Sequence, residues 1–144
     1  MKRFVRCVCV LMVVAILFAN PVFATESASA RSSSFFMCSS VYLWKTSYTT
    51  FEAWFDVVAV DTMDQVGASI IKIQRSSDGV NWTTMKTYSK DDYPDMIYEN
   101  SIGHVGCVSY TGAPGYYYRA YIVLYAKNSS GTGVIPVYTD PMKL

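Results

Sequence analysis

Apolar and polar residues alternate on both sides of a strong turn signal near the middle of the chain, in Ile70–Tyr88. Before the turn, isoleucines alternate with Lys72 and Gln74, which is the pattern of a strand with one buried and one solvent-facing side. At the turn, Asp78 supplies a side-chain cap and Gly79 tolerates a positive φ. This stretch is therefore predicted to form a β-hairpin.

The same period-two alternation predicts five further strands, and no stretch shows a helical period. These strands are predicted at residues 39–45, 51–60, 105–111, 116–127 and 134–139. Residues 61–67 are predicted to form a loop and residues 89–104 a long polar connection, while Pro136 places the last strand at a sheet edge. Seven short strands are typical of an all-β, two-sheet sandwich of the immunoglobulin or fibronectin type III kind.

Residues 1–24 have the three parts of a secretory signal peptide: basic residues, an apolar run at residues 7–19 and a small-residue cleavage site. The apolar run is too short to span a bilayer, which takes roughly 20 residues. We therefore expect a secreted, extracellular protein with no membrane insertion after signal removal. A flexible leader is predicted at residues 25–34 and a β-sandwich domain at residues 35–144.

The expected mature chain is close to neutral. Removing residues 1–24 removes three basic residues and no acidic residue, which leaves 9 basic and 11 acidic residues. No basic stripe remains to track phosphates, so we expect no nucleic-acid partner. The mature chain keeps all 12 Tyr and all 3 Trp, and this aromatic content excludes a disordered chain and suits one domain with a single core.

Two cysteines follow the signal peptide, Cys38 and Cys107. In an oxidising compartment, a pair of cysteines most simply forms one disulfide, which here would close a loop of about 70 residues. The alternative is two buried free thiols. We predict the disulfide between Cys38 and Cys107.

The segment PGYYYRAYI at residues 114–122 resembles the turn into the sixth strand of fibronectin type III domains. In that family a Pro-Gly turn is followed by a tyrosine-corner residue and by alternating apolar positions. The resemblance implies that the Tyr118 hydroxyl bonds to a backbone group upstream while its ring packs in the core.

The turn SSDGVNW at residues 76–82 resembles the Asp-box hairpin of sialidases and the turns of some carbohydrate-binding sandwiches. Such turns are structural in those families. The resemblance implies that Asp78 caps the turn, that Gly79 relaxes it and that Trp82 packs on the hairpin.

One face of the strand predicted at residues 116–127 is a candidate binding surface. It carries Tyr117, Arg119, Tyr121 and Tyr125. Exposed tyrosine rings suit the C–H surfaces of sugars and also suit protein partners. The alternative is cross-strand aromatic pairing that only covers the sheet. Trp54, on the non-core face of its own strand, could extend either the binding surface or this pairing.

Metal and catalytic chemistry have little basis in the sequence. A group of acidic residues in the long connection could bind calcium, although it lacks the spacing of an EF-hand, and a solvated acidic loop is the alternative. The group is Asp91, Asp92, Asp95 and Glu99. His104, the only histidine, lies near Cys107 with no nucleophile motif around it. We therefore expect no enzyme activity, no bound metal and no cofactor.

The chain is also similar to members of an uncharacterised family of small secreted proteins from Gram-positive bacteria, in its ARSSSFF, SSDGVNWTT and GYYYRAY segments. This resemblance implies a secreted bacterial protein and brings no known activity. We expect a non-catalytic binding protein for an extracellular glycan or protein. A self-associating component of the cell envelope is the alternative, and a secreted hydrolase that uses His104 is a third hypothesis.

Overall fold

The structure, a computed structural model, describes residues 34–144. The predicted signal peptide lies outside the described residues, as does the predicted leader apart from Ser34. Residues 34–144 form an all-β, antiparallel arrangement with seven strands in one sheet. No helix in this part of the chain is long and apolar enough to cross a membrane.

The seven strands follow one another along the chain, with one turn of 3-10 helix at Pro94–Met96 between the third and the fourth. They are β1 Phe36–Lys45, β2 Thr50–Ser76, β3 Thr83–Ser89, β4 Ile97–Thr111, β5 Tyr117–Asn128, β6 Gly131–Tyr138 and β7 Met142–Lys143. Pro136 lies in β6, at one end of the strand order, which confirms the predicted edge position.

Strand β2 is central to the sheet along its whole length of 27 residues. Its first half pairs with β1 on one edge and with the end of β4 on the other. Its second half pairs with β5 on one edge, and with the start of β4 and with β3 on the other. The pairing is irregular between Val58 and Met63 and between Ala68 and Ile70, and such bulges bend a strand. The sheet consequently curls into a half-barrel.

The hydrophobic core lies on the inner side of this curl. Every second residue is buried from Phe51 to Ala59 in β2 and from Tyr118 to Ala126 in β5, as period-two alternation predicts. The rings of Phe51 and Tyr118 meet with their centroids 5.2 Å apart. The two halves of the sheet therefore pack against each other through their inner faces.

The predicted role of Tyr118 is confirmed. Its hydroxyl donates to the carbonyl oxygen of Ala113 at 3.1 Å and accepts from the N–H of Ala113 at 2.8 Å, and the residue is 1% exposed. Gly112 leaves room for this ring, since a Cβ at that position would lie 2.6 Å from Tyr118 Cζ. The turn before β5 is thus tied to the core by one side chain.

The predicted central hairpin is also confirmed, because β2 and β3 pair antiparallel on either side of the turn at residues 77–82. Asp78 Oδ1 accepts hydrogen bonds from the N–H groups of Val80 at 2.9 Å and Asn81 at 2.8 Å, and Gly79 has a φ of 76°. These hydrogen bonds, with that from the Asn81 N–H as the largest cause, hold the pKa of Asp78 below its ordinary value.

Two predicted connections are wrong. Residues 61–67 belong to β2, and residues 97–104 belong to β4. These segments lack a clear buried alternation, yet their backbones pair with each other from Met63 to Gly67. Because β2 runs unbroken through both halves, the chain forms one curled sheet, whereas the pattern predicts two.

Candidate functional site

The four predicted binding residues on β5 lie together on its outer face, and all four are half-buried. They are Tyr117, Arg119, Tyr121 and Tyr125, here named the β5 row. Their cross-strand neighbours belong to the second half of β2 and to β6 and β7. Trp54 has different neighbours, Tyr42 on β1 and Cys107 on β4. The structure therefore divides the predicted binding residues into two groups.

The tyrosine rings of the β5 row are covered by cations of the protein itself. A lysine lies over each ring, with Nζ between 5.1 and 5.9 Å from the ring centroid. The pairs are Lys143 with Tyr117, Lys72 with Tyr121 and Lys90 with Tyr125. Cations at this distance are attracted by the ring faces, so these faces are already engaged.

Arg119, the charged member of the β5 row, is engaged as well. Its guanidinium carbon lies 4.3 Å from the ring centroid of Trp82 and 4.4 Å from that of Tyr138. Its Nε donates to Gln74 Oε1 at 2.8 Å. The sequence predicts that Trp82 packs on the hairpin, whereas this ring contact joins Trp82 to Arg119 of β5. The contacts of the β5 row favour cross-strand packing over a free binding platform.

Trp54 belongs to a second aromatic group, on the outer face of the hairpin formed by β1 and β2. The register sets Tyr42 opposite Trp54 and Trp44 opposite Glu52. The rings of Tyr42 and Trp54 are parallel to within 3°, with their centroids 6.3 Å apart. Together with Thr46, these side chains line a shallow cleft of about 640 Å³, here named the aromatic cleft.

The aromatic cleft is open to solvent. Trp44 is 62% exposed and Tyr42 is 45% exposed, whereas Phe55, on the opposite face of β2, is fully buried. Exposed aromatic residues that are grouped, rather than scattered singly, mark interaction sites on protein surfaces. This group is the candidate site that the geometry supports best.

Glu52 contributes a negative charge to the aromatic cleft and orients one of its rings. The Nε1–H group of Trp54 donates to Glu52 Oε2 at 2.9 Å. Within residues 34–144, Glu52 forms no salt bridge, and no cation lies over the rings of Tyr42, Trp44 or Trp54. In the described part of the chain, the cleft thus keeps free ring faces beside a carboxylate that has no cation partner.

A tight hairpin brings the cleft residues together. The Ser47 hydroxyl accepts from the N–H of Thr50 at 3.0 Å, and the N–H groups of Thr46 and Ser47 both donate to the Thr50 carbonyl oxygen at 3.0 Å. This turn sets the register of the two strands. Since positions 42 and 44 then face positions 54 and 52, all four side chains project from the same side of the sheet.

The predicted disulfide is not formed, because Cys38 and Cys107 are both free and exposed. Cys38 lies on β1 opposite Val58, and Cys107 lies on β4 opposite Trp54, so that β2 runs between them. Two strand spacings amount to about 10 Å. Bonded cysteines have Cα atoms within about 7 Å of each other. The exposure of both side chains also rules out the alternative of two buried thiols.

Cys107 lies at the edge of the aromatic group, beside Trp54. Although Cys107 is exposed, neighbouring atoms exclude part of the water around its thiol. This desolvation, and in second place the negative charge of Glu52, raise the pKa of the Cys107 thiol above its ordinary value. A raised pKa keeps the thiol protonated at neutral pH, and the protonated thiol is a poor nucleophile. Cys107 therefore has the opposite of the environment that activates a catalytic cysteine.

His104 has the surroundings of a packing residue. Its Nε2 lies 2.9 Å from the carbonyl oxygen of Asp95, to which it can donate, and its ring contacts Tyr98 and Phe55 at centroid distances of 5.5 and 5.4 Å. In the regular register of this part of β4, positions 104 and 107 face opposite sides of the sheet. The structure therefore does not bring His104 and Cys107 together as a catalytic pair.

Two of the four acidic residues of the predicted calcium cluster, Asp91 and Asp92, have side-chain partners of their own. Asp92 accepts from the Ser89 hydroxyl at 2.8 Å, Asp91 lies 3.6 Å from Lys90 Nζ, and Glu99 lies within β4. Across residues 34–144, no group of three or more His, Cys, Asp or Glu side chains is placed to hold a metal ion. Asp95 contributes its backbone carbonyl to His104.

The sequence pattern identifies Trp54 but misses its partners Tyr42, Trp44 and Glu52. The outward position of each of these residues is readable from alternation. The pairing that sets them side by side depends on the register of the hairpin. The short polar segment at residues 46–49 is the signal from which this pairing could have been predicted, because a short loop joins adjacent antiparallel strands.

Comparison with known proteins adds no family to this picture. No protein-family model matches the chain, and no curated protein matches it in sequence. The aromatic cleft is therefore interpreted from its own geometry.

Proposed function

We propose that this protein is a non-catalytic binding protein that acts outside the cell and contacts its ligand through the aromatic cleft. One observation carries the proposal. The rings of Tyr42, Trp44 and Trp54 have no cation over them within residues 34–144, whereas each tyrosine of the β5 row has one. Free ring faces can stack on the C–H surface of a sugar or on a side chain of a protein partner.

Action outside the cell is supported by the predicted signal peptide at residues 1–24. The absence of enzyme chemistry is part of the same proposal, and the engagement of His104 with the Asp95 carbonyl oxygen supports it. We also propose that the fold is related to immunoglobulin or fibronectin type III domains. The hydrogen bonds of Tyr118 with Ala113 support that relationship.

A binding screen tests the proposed function. The purified protein is tested against cell-wall polymers, host glycans and mucins, with the variant Trp44→Ala beside it. Because Trp44 is largely exposed, its replacement spares the core. The matched control is Tyr48→Ala, since Tyr48 is 72% exposed in the same hairpin but outside the aromatic cleft.

We expect a ligand that Tyr48→Ala binds normally and that Trp44→Ala binds about tenfold more weakly, because central aromatic contacts carry much of the binding energy at such sites. A ligand whose affinity is unchanged in both Trp44→Ala and Trp54→Ala would reject the cleft as the contact surface.

Self-association is a second candidate function, favoured by the open edge of β1. Within residues 34–144, β1 pairs only with β2, and Met37 near its start is 65% exposed. An unpaired edge offers backbone donors and acceptors to a second copy of the chain. Light scattering over a concentration series tests this candidate. A mass that rises with concentration supports it, and a monomer at every concentration rejects it.

A further inference from the structure

We infer that the group bound in the aromatic cleft is a substituted ammonium cation, a quaternary or methylated amine carried by a larger ligand. The inference rests on the proposed function of the cleft and adds the charge and the chemical class of the group that it takes. Three features support it: the ring faces, the carboxylate of Glu52 and the absence of a cation from the protein in this place.

The rings of the cleft supply the first part of the attraction. The face of an aromatic ring is its negative pole, and it attracts a cation that lies within about 6 Å of the centroid. Tryptophan is the strongest of these rings, and two of the three tryptophans of the chain, Trp44 and Trp54, line the cleft. Tyr42 adds a third ring, parallel to that of Trp54.

Glu52 supplies the second part. Its Oε2 accepts from Trp54 Nε1–H, and no hydrogen bond from residues 34–144 reaches its Oε1. The register places Glu52 directly opposite Trp44. A carboxylate at this position adds Coulomb attraction for a cationic ligand, which a neutral sugar does not experience to the same extent.

Elsewhere in the described chain, aromatic rings of these types commonly contact a cation. Eight cation-ring contacts occur in residues 34–144, and all of them lie outside the aromatic cleft. The closest two place Arg119 against Trp82 and Tyr138. The cleft has the same types of ring and a carboxylate, but no cation of its own in the described chain. A ligand is therefore free to supply the cation.

Alkyl substitution suits the cleft better than a bare ammonium group does. A compact ammonium ion is strongly hydrated, so moving it onto aromatic surface costs much of its hydration. Methyl groups on the nitrogen reduce this cost and bury apolar area against Trp44 and Trp54. Because Glu52 lines the same cleft as these rings, the charge on the nitrogen stays within reach of its carboxylate.

Indole resonances provide the test. Protein produced from the full 144-residue chain is titrated with choline and, separately, with the neutral analogue in which carbon replaces the quaternary nitrogen. The three indole N–H signals are followed by NMR. Trp44 and Trp54 report on the cleft, and Trp82, which packs against Arg119, is the internal control for the fold. The variant Glu52→Gln is compared with Glu99→Gln, which removes an exposed carboxylate outside the cleft.

We expect choline to shift the Trp44 and Trp54 signals but not the Trp82 signal, and to bind about tenfold more tightly than the neutral analogue. Glu52→Gln should weaken choline about tenfold, and Glu99→Gln should leave its affinity unchanged. The Trp82 signal would reveal whether Glu52→Gln fails to fold. In that case the unmodified protein still tests the inference, through its relative affinity for choline and for the neutral analogue.

Two results would overturn the inference. One is equal affinity for choline and its neutral analogue, and the other is the absence of any choline-dependent shift at Trp44 and Trp54. A third result would separate the two proposals. If a neutral oligosaccharide shifts these two signals and choline does not, the cleft is a binding site, as proposed, but its ligand is not a substituted ammonium cation. The proposed function itself would be rejected by a different result, in which every ligand found in the screen binds the cleft variants as tightly as it binds the unmodified protein.

Discussion

The side chain of Tyr118 holds the backbone of Ala113 twice, as a donor to its carbonyl oxygen at 3.1 Å and as an acceptor from its N–H at 2.8 Å. One hydroxyl in the core thereby satisfies both polar backbone groups of a residue five positions earlier. The turn between them is closed before β5 begins. The hydroxyl of Tyr118 thus helps to hold the start of β5 in place.

Removal of this hydroxyl should destabilise the protein. In Tyr118→Phe both hydrogen bonds to the backbone of Ala113 are lost, and a typical hydrogen bond contributes about 0.5–1.5 kcal/mol. We expect a decrease of this size in the free energy of unfolding, measured with urea. The control is Tyr117→Phe, whose hydroxyl forms no hydrogen bond within the described residues and whose change should stay within about 0.5 kcal/mol. Equal stability of the two variants would contradict the role of Tyr118.

Asp78 should make the stability of the protein depend on acid pH. Hydrogen bonds, chiefly from the Asn81 N–H, hold the pKa of Asp78 in the folded state below the value of about 3.9 expected for an unfolded chain. Its contribution is therefore complete above about pH 4 and is lost as the pH falls through the lower folded pKa. As the pH is lowered below about 4, we expect the urea concentration at the midpoint of unfolding to decrease. The decrease should be less steep in Asp78→Asn, which cannot ionise at this position.

The control for this pH series is Asp64→Asn, which changes an exposed residue of β2. Its urea midpoint should follow the same acid slope as that of the unmodified protein. If Asp78→Asn also kept that slope, the hydrogen bonds of the Asp78 carboxylate would not be the cause.

The two cysteines should be found as free thiols. We expect the intact mass of unreduced protein to show no loss of two hydrogens, because β2 separates Cys38 from Cys107. Both thiols should react with iodoacetamide without prior reduction. Glu52→Gln should speed the alkylation of Cys107 at neutral pH, since removal of the Glu52 charge lowers the thiol pKa. The rate at Cys38 is the internal reference, and an internal disulfide in the folded monomer would disprove the strand order.

Arg119 should stabilise the fold through its two aromatic neighbours. In Arg119→Lys the planar guanidinium between Trp82 and Tyr138 is lost, and we expect the free energy of unfolding to decrease by about 1 kcal/mol. Lys127→Ala, at the exposed end of β5, should cost less than about 0.5 kcal/mol. Ligand binding at the aromatic cleft should be unchanged in both variants. If Arg119→Lys lost ligand binding but kept its stability, the β5 row would be a contact surface for the ligand.

Local rules account for the parts of the fold that the sequence predicts correctly. Alternation assigns the buried faces of β2 and β5, and the Asp78-Gly79 pair assigns the hairpin turn, because each depends only on residues near each other in the chain. The tyrosine corner is equally local, since Ala113 precedes Tyr118 by only five positions. The β5 row is correctly placed on an outer face for the same reason.

The failures share a different cause. Residues 61–67 look like a loop because their side chains are mostly polar, yet backbone pairing with β4 makes them strand. Cys38 and Cys107 are plausible disulfide partners until β2 is known to lie between them. The residues that surround Trp54 depend in the same way on the register of β1 with β2.

The sequence by itself determined the all-β class, the inward and outward faces of most strands, the central hairpin and the tyrosine corner. Side chains alternate along any strand whatever its neighbours are, and turns depend on a few adjacent residues. Only the tertiary structure decided which strands are neighbours, where the sheet bends and which aromatic rings keep free faces beside Glu52. Those features come from hydrogen bonds and packing between segments distant in the chain, and alternation carries no information about which partner strand a segment will choose.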